Sequence, residues 1–134
     1  MSELVLTPGK SVTVTTFVDE TKTARCVGSG SLDVFATPMM VAQMEYAACE
    51  VLKSAMDEGQ TSVGTFISVN HTAASPLGAQ IITTATITSV SGRKVDFDVS
   101  SFDDCGEIGR GTHTRMIVDT KRFTEKIDAR RTLH

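Results

Sequence analysis

The sequence predicts an α+β domain in which one long central helix is wrapped by a curved antiparallel sheet of about five strands. Three observations predict it. One long apolar helical stretch opens at Thr37-Pro38, a β-branched run precedes it, and four further β-branched runs follow it. A single apolar helix and a single antiparallel sheet must bury their apolar faces against each other. A sheet curled around the helix does this with the fewest elements.

The first run, Ser11 to Val18 (SVTVTTFV), reads as a strand. Asp19 to Ala36 is polar and rich in small residues, with Gly28-Ser29-Gly30-Ser31 near its centre. It reads as a mobile, lid-like segment with a short strand at Thr23–Val27. The helix is predicted over Pro38–Met56. Thr37 suits an N-cap followed by proline at the first helical position, and Asp57-Glu58-Gly59 suits the end.

Val63–His71, Gln80–Val90, Lys94–Phe102 and Ile108–Asp119 then read as an antiparallel meander of four strands. Ser91-Gly92-Arg93 and Asp103-Asp104-Cys105-Gly106 separate the last three as hairpin turns. Within Lys94–Val99 the alternation places Val95, Phe97 and Val99 inward and Lys94, Asp96 and Asp98 outward. The tail from Lys121 either forms a final short helix or frays. This element order fits the hotdog architecture, as one domain over residues 1–134 with 121–134 as its tail.

Composition limits the function classes. A chain of 134 residues with 40% hydrophobic content is sized for one folded core. The formal net charge of -3, one Tyr and no Trp leave neither the basic surface nor the stacking platforms that nucleic acids need. Basic residues cluster only between Lys121 and Arg131, with acids interspersed. No run approaches the roughly 20 apolar residues of a membrane span, and MSELVLTPGK lacks the charged and apolar regions of a signal peptide. A cytoplasmic protein without nucleic-acid or membrane partners is expected. Cys26, Cys49 and Cys105 are too few and too scattered for a zinc site or a disulfide framework, and Cys49 reads as a reduced core thiol. Neither a metal nor a resident cofactor is expected.

The helix carries the most informative residue. At about 100° per residue, Met40, Val41, Met44, Ala48, Cys49, Val51, Leu52, Ala55 and Met56 share one arc, while Gln43, Glu50, Lys53 and Ser54 lie opposite. Glu45 falls between Leu52 and Met56, inside the apolar arc. A buried carboxylate without a partner is costly, so Glu45 either anchors the helix to an amide or Arg, or serves as a base or nucleophile. Glu50, beside Lys53, reads as an ordinary surface acid. His71 closes a strand whose inward phase is Val63, Thr65, Ile67 and Val69. It should emerge on the helix side, and the helix and this strand must pack together, so His71 and Glu45 are expected to meet.

The same residues carry a resemblance. Val34-Phe-Ala-Thr-Pro-Met-Met-Val-Ala-Gln-Met-Glu-Tyr-Ala-Ala48, Gly64-Thr65, Val69-Asn-His-Thr-Ala-Ala-Ser-Pro-Leu-Gly78 and Ile108-Gly-Arg-Gly-Thr-His-Thr-Arg115 follow one another in order and spacing. Together they resemble the fluoroacetyl-CoA-specific thioesterase-like family over roughly residues 34 to 126. The resemblance implies a hotdog homodimer, with higher oligomers open, that cleaves acyl-CoA thioesters with Thr37, Glu45 and His71. It also implies Phe35 and Gly64 as substrate-lining residues and Arg115 as a supporting residue. Coenzyme A then enters as part of the substrate. The segment before Phe35 departs from the pattern. Fluoroacetate-specific members carry aromatic bulk there, where this chain has Gly28-Ser29-Gly30-Ser31.

Hydrolysis of a thioester needs a nucleophile, a proton for the departing thiolate and donors for an oxyanion. The Thr37–Met40 turn offers free helix-start amides, and Gly64 would admit the acyl group to the strand backbone. Within one straight helix, Glu45 lies about 12 Å beyond Thr37. The two therefore address different parts of the substrate, meet across a dimer interface, or meet through a loop folded back. Glu45 is expected as base for water or as direct nucleophile, His71 as proton shuttle, and Thr37 as a carbonyl-orienting or attacking hydroxyl. His113 and Arg115 share one phase of the last strand. They read either as an exposed pair on the outer face or as help for CoA phosphates together with Lys121, Arg122 or Lys126. Gly109 and Gly111 mark a bulge or close packing. A non-catalytic acyl-CoA-binding module and a CoA-dependent hydratase or dehydratase are the alternatives.

Overall fold

The computed structural model describes residues 6–132. Strand β1 (Ser11–Phe17) leads into a 3-10 turn (Glu20–Lys22) and a four-residue helix α1 (Ala24–Val27). The long helix α2 (Thr37–Lys53) follows, then β2 (Gln60–His71), β3 (Gln80–Ser91), β4 (Lys94–Asp103), β5 (Gly106–Asp119) and α3 (Thr120–Thr132). One five-stranded antiparallel sheet wraps α2, so the α+β hotdog expectation holds.

The alternation in β4 is borne out, with Val95, Phe97 and Val99 buried. They meet Met40, Met44, Ala48, Val51 and Leu52 of α2 in the core, together with Ile81, Ala85 and Ile87 of β3. Each large apolar side chain so buried contributes about 1.5–3 kcal/mol of transfer free energy. Gly109 and Gly111 are close-packing positions. A Cβ on Gly109 would stand 2.6 Å from Met40 Sδ and 2.9 Å from the Asn70 carbonyl oxygen.

The four-strand meander is corrected. The strand order is β1-β3-β4-β5-β2, so only β3, β4 and β5 meander. β2 lies at the far edge, antiparallel to β5 from Gln60 opposite Asp119 to His71 opposite Gly109. The 72–79 connection carries the chain across, fixed by Thr72 N–H on the Ile108 carbonyl (2.7 Å) and the Ser75 hydroxyl on Asp103 (2.7 Å). Side-chain alternation states which face a strand buries. It is silent about which strand lies beside it.

The short strand expected at Thr23–Val27 is also corrected, because Ala24–Val27 is helical. The Thr23 hydroxyl accepts from the Cys26 N–H at 3.2 Å, and Gly28, at φ 80, closes the turn in the left-handed region. Local capping at both ends outweighs the β-propensity of Thr and Val. The 19–36 segment is tied at its return. Phe35 N–H donates to the Ser75 carbonyl and Ala36 N–H to the Lys22 carbonyl, at 2.8 and 2.9 Å.

α2 ends at Lys53 rather than Met56, with Ser54 as its C-cap. The tail takes the helical alternative, and α3 buries no residue. No described helix is long and apolar enough to cross a membrane.

Candidate active site

Thr37 is the first residue of α2, not its N-cap. The cap is Ala36, which makes no side-chain hydrogen bond to the helix, and proline stands second. Freed from capping, the Thr37 hydroxyl lies 2.8 Å from His71 Nδ1. The end of β2 is thereby fastened beneath the start of α2. Phe35 stands edge-on to the imidazole, with ring centroids 6.4 Å apart. These three side chains line a cleft of about 380 Å³, whose other walls include Gly30, Leu32 and Ala73.

Burial pushes the His71 pKa below its ordinary value, and the Ala73 backbone opposes that shift. The ring is therefore neutral at neutral pH. We assign Nδ1 as acceptor of the Thr37 proton, which leaves the ring proton on Nε2. Nε2 is buried and has no hydrogen-bond partner among the described residues, so the Ala73 backbone acts as a neighbouring dipole and not as a bonded acceptor.

The helix-start amides are fewer than expected. Met39 and Met40 N–H both donate to the Ala36 carbonyl at 3.0 Å, and Pro38 has none. Thr37 N–H remains as the free donor at this end among the described residues.

Glu45 does not reach this cleft within one chain. Its side chain is 41% exposed and its carboxylate stands 3.6 Å from Arg115 Nη1. The fully buried arc of α2 runs from Ala47 through Met40, Val51, Met44 and Ala48 to Leu52, and Glu45 lies about 20° beyond Leu52. Cys49 and Met56, which widened the expected arc, are only partly buried, and Met56 lies past the helix end. The expected buried carboxylate is thus a rim residue, and no hydrogen bond joins it to His71 among the described residues. Glu50 pairs loosely with Lys53 at 3.9 Å, as a surface acid does.

Gly64 sits opposite Arg115 in the β2–β5 ladder, just before a bulge. A Cβ there would stand 2.8 Å from the Glu45 carboxylate and 3.2 Å from Arg115 Nη1, so glycine is what lets the helix acid lie over the strand. Within one chain, Gly64 faces Glu45 and not the cleft.

His113 and Arg115 are the largest departure. Expected as an exposed pair or as phosphate ligands, they are 1% and 7% exposed and lie under α2. Arg115 donates to the Ser62 hydroxyl (2.9 Å) and carbonyl (3.0 Å) and to His113 Nε2 (3.3 Å). His113 Nδ1 donates to the Phe66 carbonyl at 2.7 Å. Burial lowers the His113 pKa and Arg115 adds to that, while the Phe66 carbonyl and Glu45 oppose it. A polar pair can face inward because each of its side-chain nitrogens has a partner. Ser62, which holds Arg115, carried no signal in the sequence.

Both imidazoles, His113 buried and His71 partly so, titrate below their unfolded value of about 6.5, so acid favours the unfolded chain, which binds more protons. Their contribution is complete above pH 6.5 and is lost as pH falls through the folded values. The urea midpoint at pH 5.5 is expected to lie below that at pH 7.5, well above the range where carboxylates titrate. Equal midpoints would contradict neutral burial.

Among the described residues, the one metal-capable cluster is Asp103, Asp104 and Cys105 on the β4–β5 turn, outside the cleft lining.

The sheet wrapped around α2, with a polar pair at the helix start opening on a cleft, defines a hotdog-fold thioesterase. The chain belongs to the fluoroacetyl-CoA-specific thioesterase family, whose model matches residues 18–121. It is 41% identical over 95 residues to the fluoroacetyl-CoA thioesterase of Streptantibioticus cattleyicolor, covering 71% of this chain and 68% of that protein. A crystal structure of a fluoroacetyl-CoA thioesterase superposes with a TM-score of 0.88 at 34% identity, covering 93% of this chain and 97% of that one. A thioesterase superfamily member from Thermus thermophilus shares the fold alone, with a TM-score of 0.85 at 22% identity over 96% of this chain and 97% of that one.

Proposed function

We propose that the chain hydrolyses a small acyl-CoA to the free acid and coenzyme A, with Thr37 and His71 as the reacting pair and Glu45 supplied by a second copy. The observation that carries this reading is the 2.8 Å contact between the Thr37 hydroxyl and a neutral, half-buried His71 at the cleft. His71 Nδ1 takes the hydroxyl proton as Thr37 Oγ bonds to the thioester carbonyl carbon. The Thr37 N–H and the positive end of α2 face the oxyanion. The C–S bond breaks, and the thiolate leaves with the proton from His71. Water then attacks the threonine ester, giving its proton to Glu45, and Thr37 departs with a proton returned through His71.

The acyl group is read as small and unspecified. Gly28-Ser29-Gly30-Ser31, where the family places aromatic bulk, gives no ground for a fluorinated one. The cytoplasm fits a substrate of this kind. The first test is chemical. Glu45→Gln slows deacylation, so mass spectrometry after acyl-CoA addition should find the acyl group on the peptide containing Thr37. An adduct on Glu45 in the unmodified protein would transfer the nucleophile's role to the carboxylate.

The second copy is argued from β2. It is a 12-residue edge strand without proline, and Phe66 on it is 55% exposed. Such an edge invites another chain. Antiparallel pairing of β2 with its symmetry mate sets the two α2 helices antiparallel. That brings the Glu45 region of one copy toward the Thr37 end of the other. Light scattering at micromolar concentration should give a homodimer, and a stable monomer there counts against the shared site.

A further inference from the structure

Helix α3 gathers positive charge that the rest of the chain lacks. It carries five of the 13 Lys and Arg but only two of the 16 Asp and Glu. Arg122, Lys126 and Arg130 recur every fourth residue, so they stack along one side over about 12 Å. All three are exposed. No ion pair among the described residues holds them. Glu125 and Asp128 fall outside that stripe on a helical projection.

Among the described residues, the hydrogen bonds that tie the helix to the rest of the chain lie at its start. Thr120 N–H donates to the Gly59 carbonyl at 2.9 Å, and the Asp119 carboxylate caps Arg122 N–H at 2.9 Å. Gly59 immediately precedes β2, whose other end is His71. In its own chain, α3 therefore leaves the sheet about 35 Å along the strand from the cleft. Antiparallel β2 pairing reverses this relation. The Gln60 end of one copy then lies beside the His71 end and the 72–74 cleft wall of the other.

We infer that α3 of one copy offers Arg122, Lys126 and Arg130 to the diphosphate and ribose phosphate of the coenzyme A whose thioester occupies the other copy's cleft. This rests on the acyl-CoA and homodimer reading above. A polyanion approaching an otherwise acidic protein meets its positive surface there. The pantetheine arm separates the phosphates from the thioester, so the stripe sets binding and leaves the chemical step alone.

The test is a triple variant, Arg122→Gln, Lys126→Gln and Arg130→Gln, assayed on an acyl-CoA and on the same acyl group carried by N-acetylcysteamine, which has no phosphates. KM for the acyl-CoA should rise about tenfold, as for several rim charges lost together. Its kcat, and both constants for the truncated thioester, should stay unchanged. An unchanged KM for acyl-CoA would overturn the assignment, even if the variant then lost binding to anionic vesicles. Wild type hydrolysing neither substrate would instead defeat the thioesterase reading.

A mixed dimer tests the crossing. The triple variant is paired with a Thr37→Ala chain whose α3 is intact, so the one working Thr37 lies on the triple-variant chain. A crossing helix restores the ordinary KM, and a raised KM places the stripe in its own chain's site and overturns the crossing.

Discussion

Replacing His71 with alanine is expected to lower turnover by roughly 10²–10⁴-fold, the usual worth of positioned acid–base catalysis, while the protein stays folded. The imidazole takes the Thr37 proton and later delivers it, so its loss removes both transfers. Its structural contribution is small, because one hydrogen bond is worth about 1 kcal/mol and its Nε2 satisfies nothing among the described residues. The wild-type rate has a defined pH dependence. Burial holds the pKa below the ordinary value, and the base form is the working one. Rate should therefore rise with pH through a midpoint below about 6.5 and level off above it. Thr37→Ser should keep this profile, since it retains the hydroxyl. A sharply lowered melting temperature with near-normal turnover in the folded fraction would make His71 structural and sink the assignment.

Glu45→Gln is expected to cut hydrolysis by a similar roughly 10²–10⁴-fold, with thiol release limited to the first turnover. The fold should survive. The side chain is partly exposed, the amide keeps its volume, and Arg115 retains both bonds to Ser62. Glu50→Gln should change neither activity nor stability beyond the roughly 0.5 kcal/mol of an ordinary surface substitution. Steady-state assays and urea melts on both variants decide the matter. If Glu50→Gln proved the damaging change, the helical phase that singles out Glu45 would be wrong.

The hotdog fold was legible because its cause is local. The alternation in Lys94–Val99, the hairpin at Ser91-Gly92-Arg93 and the apolar stretch after Thr37 each follow from residues within a turn or two of one another. The emergence of His71 on the helix side was legible for the same reason, through the inward phase of Ile67 and Val69. Capping at Thr23 and Gly28 misled only because two local signals competed, and hydrogen bonds at the ends of a four-residue helix outweighed strand propensity.

By itself, then, the sequence determined the long helix and the main strands, the inward face of β4 and the family motifs that name Thr37, Glu45 and His71. Only the tertiary structure decided the partners. It placed β2 beside β5 instead of β3, joined His71 to Thr37 and not to Glu45, and turned His113 and Arg115 inward onto Ser62 and Phe66. The physical reason is common to all three. Periodicity fixes the direction of a side chain relative to its own backbone. What it meets there depends on another segment brought alongside by packing, and a buried Arg or His is tolerated wherever that segment supplies acceptors.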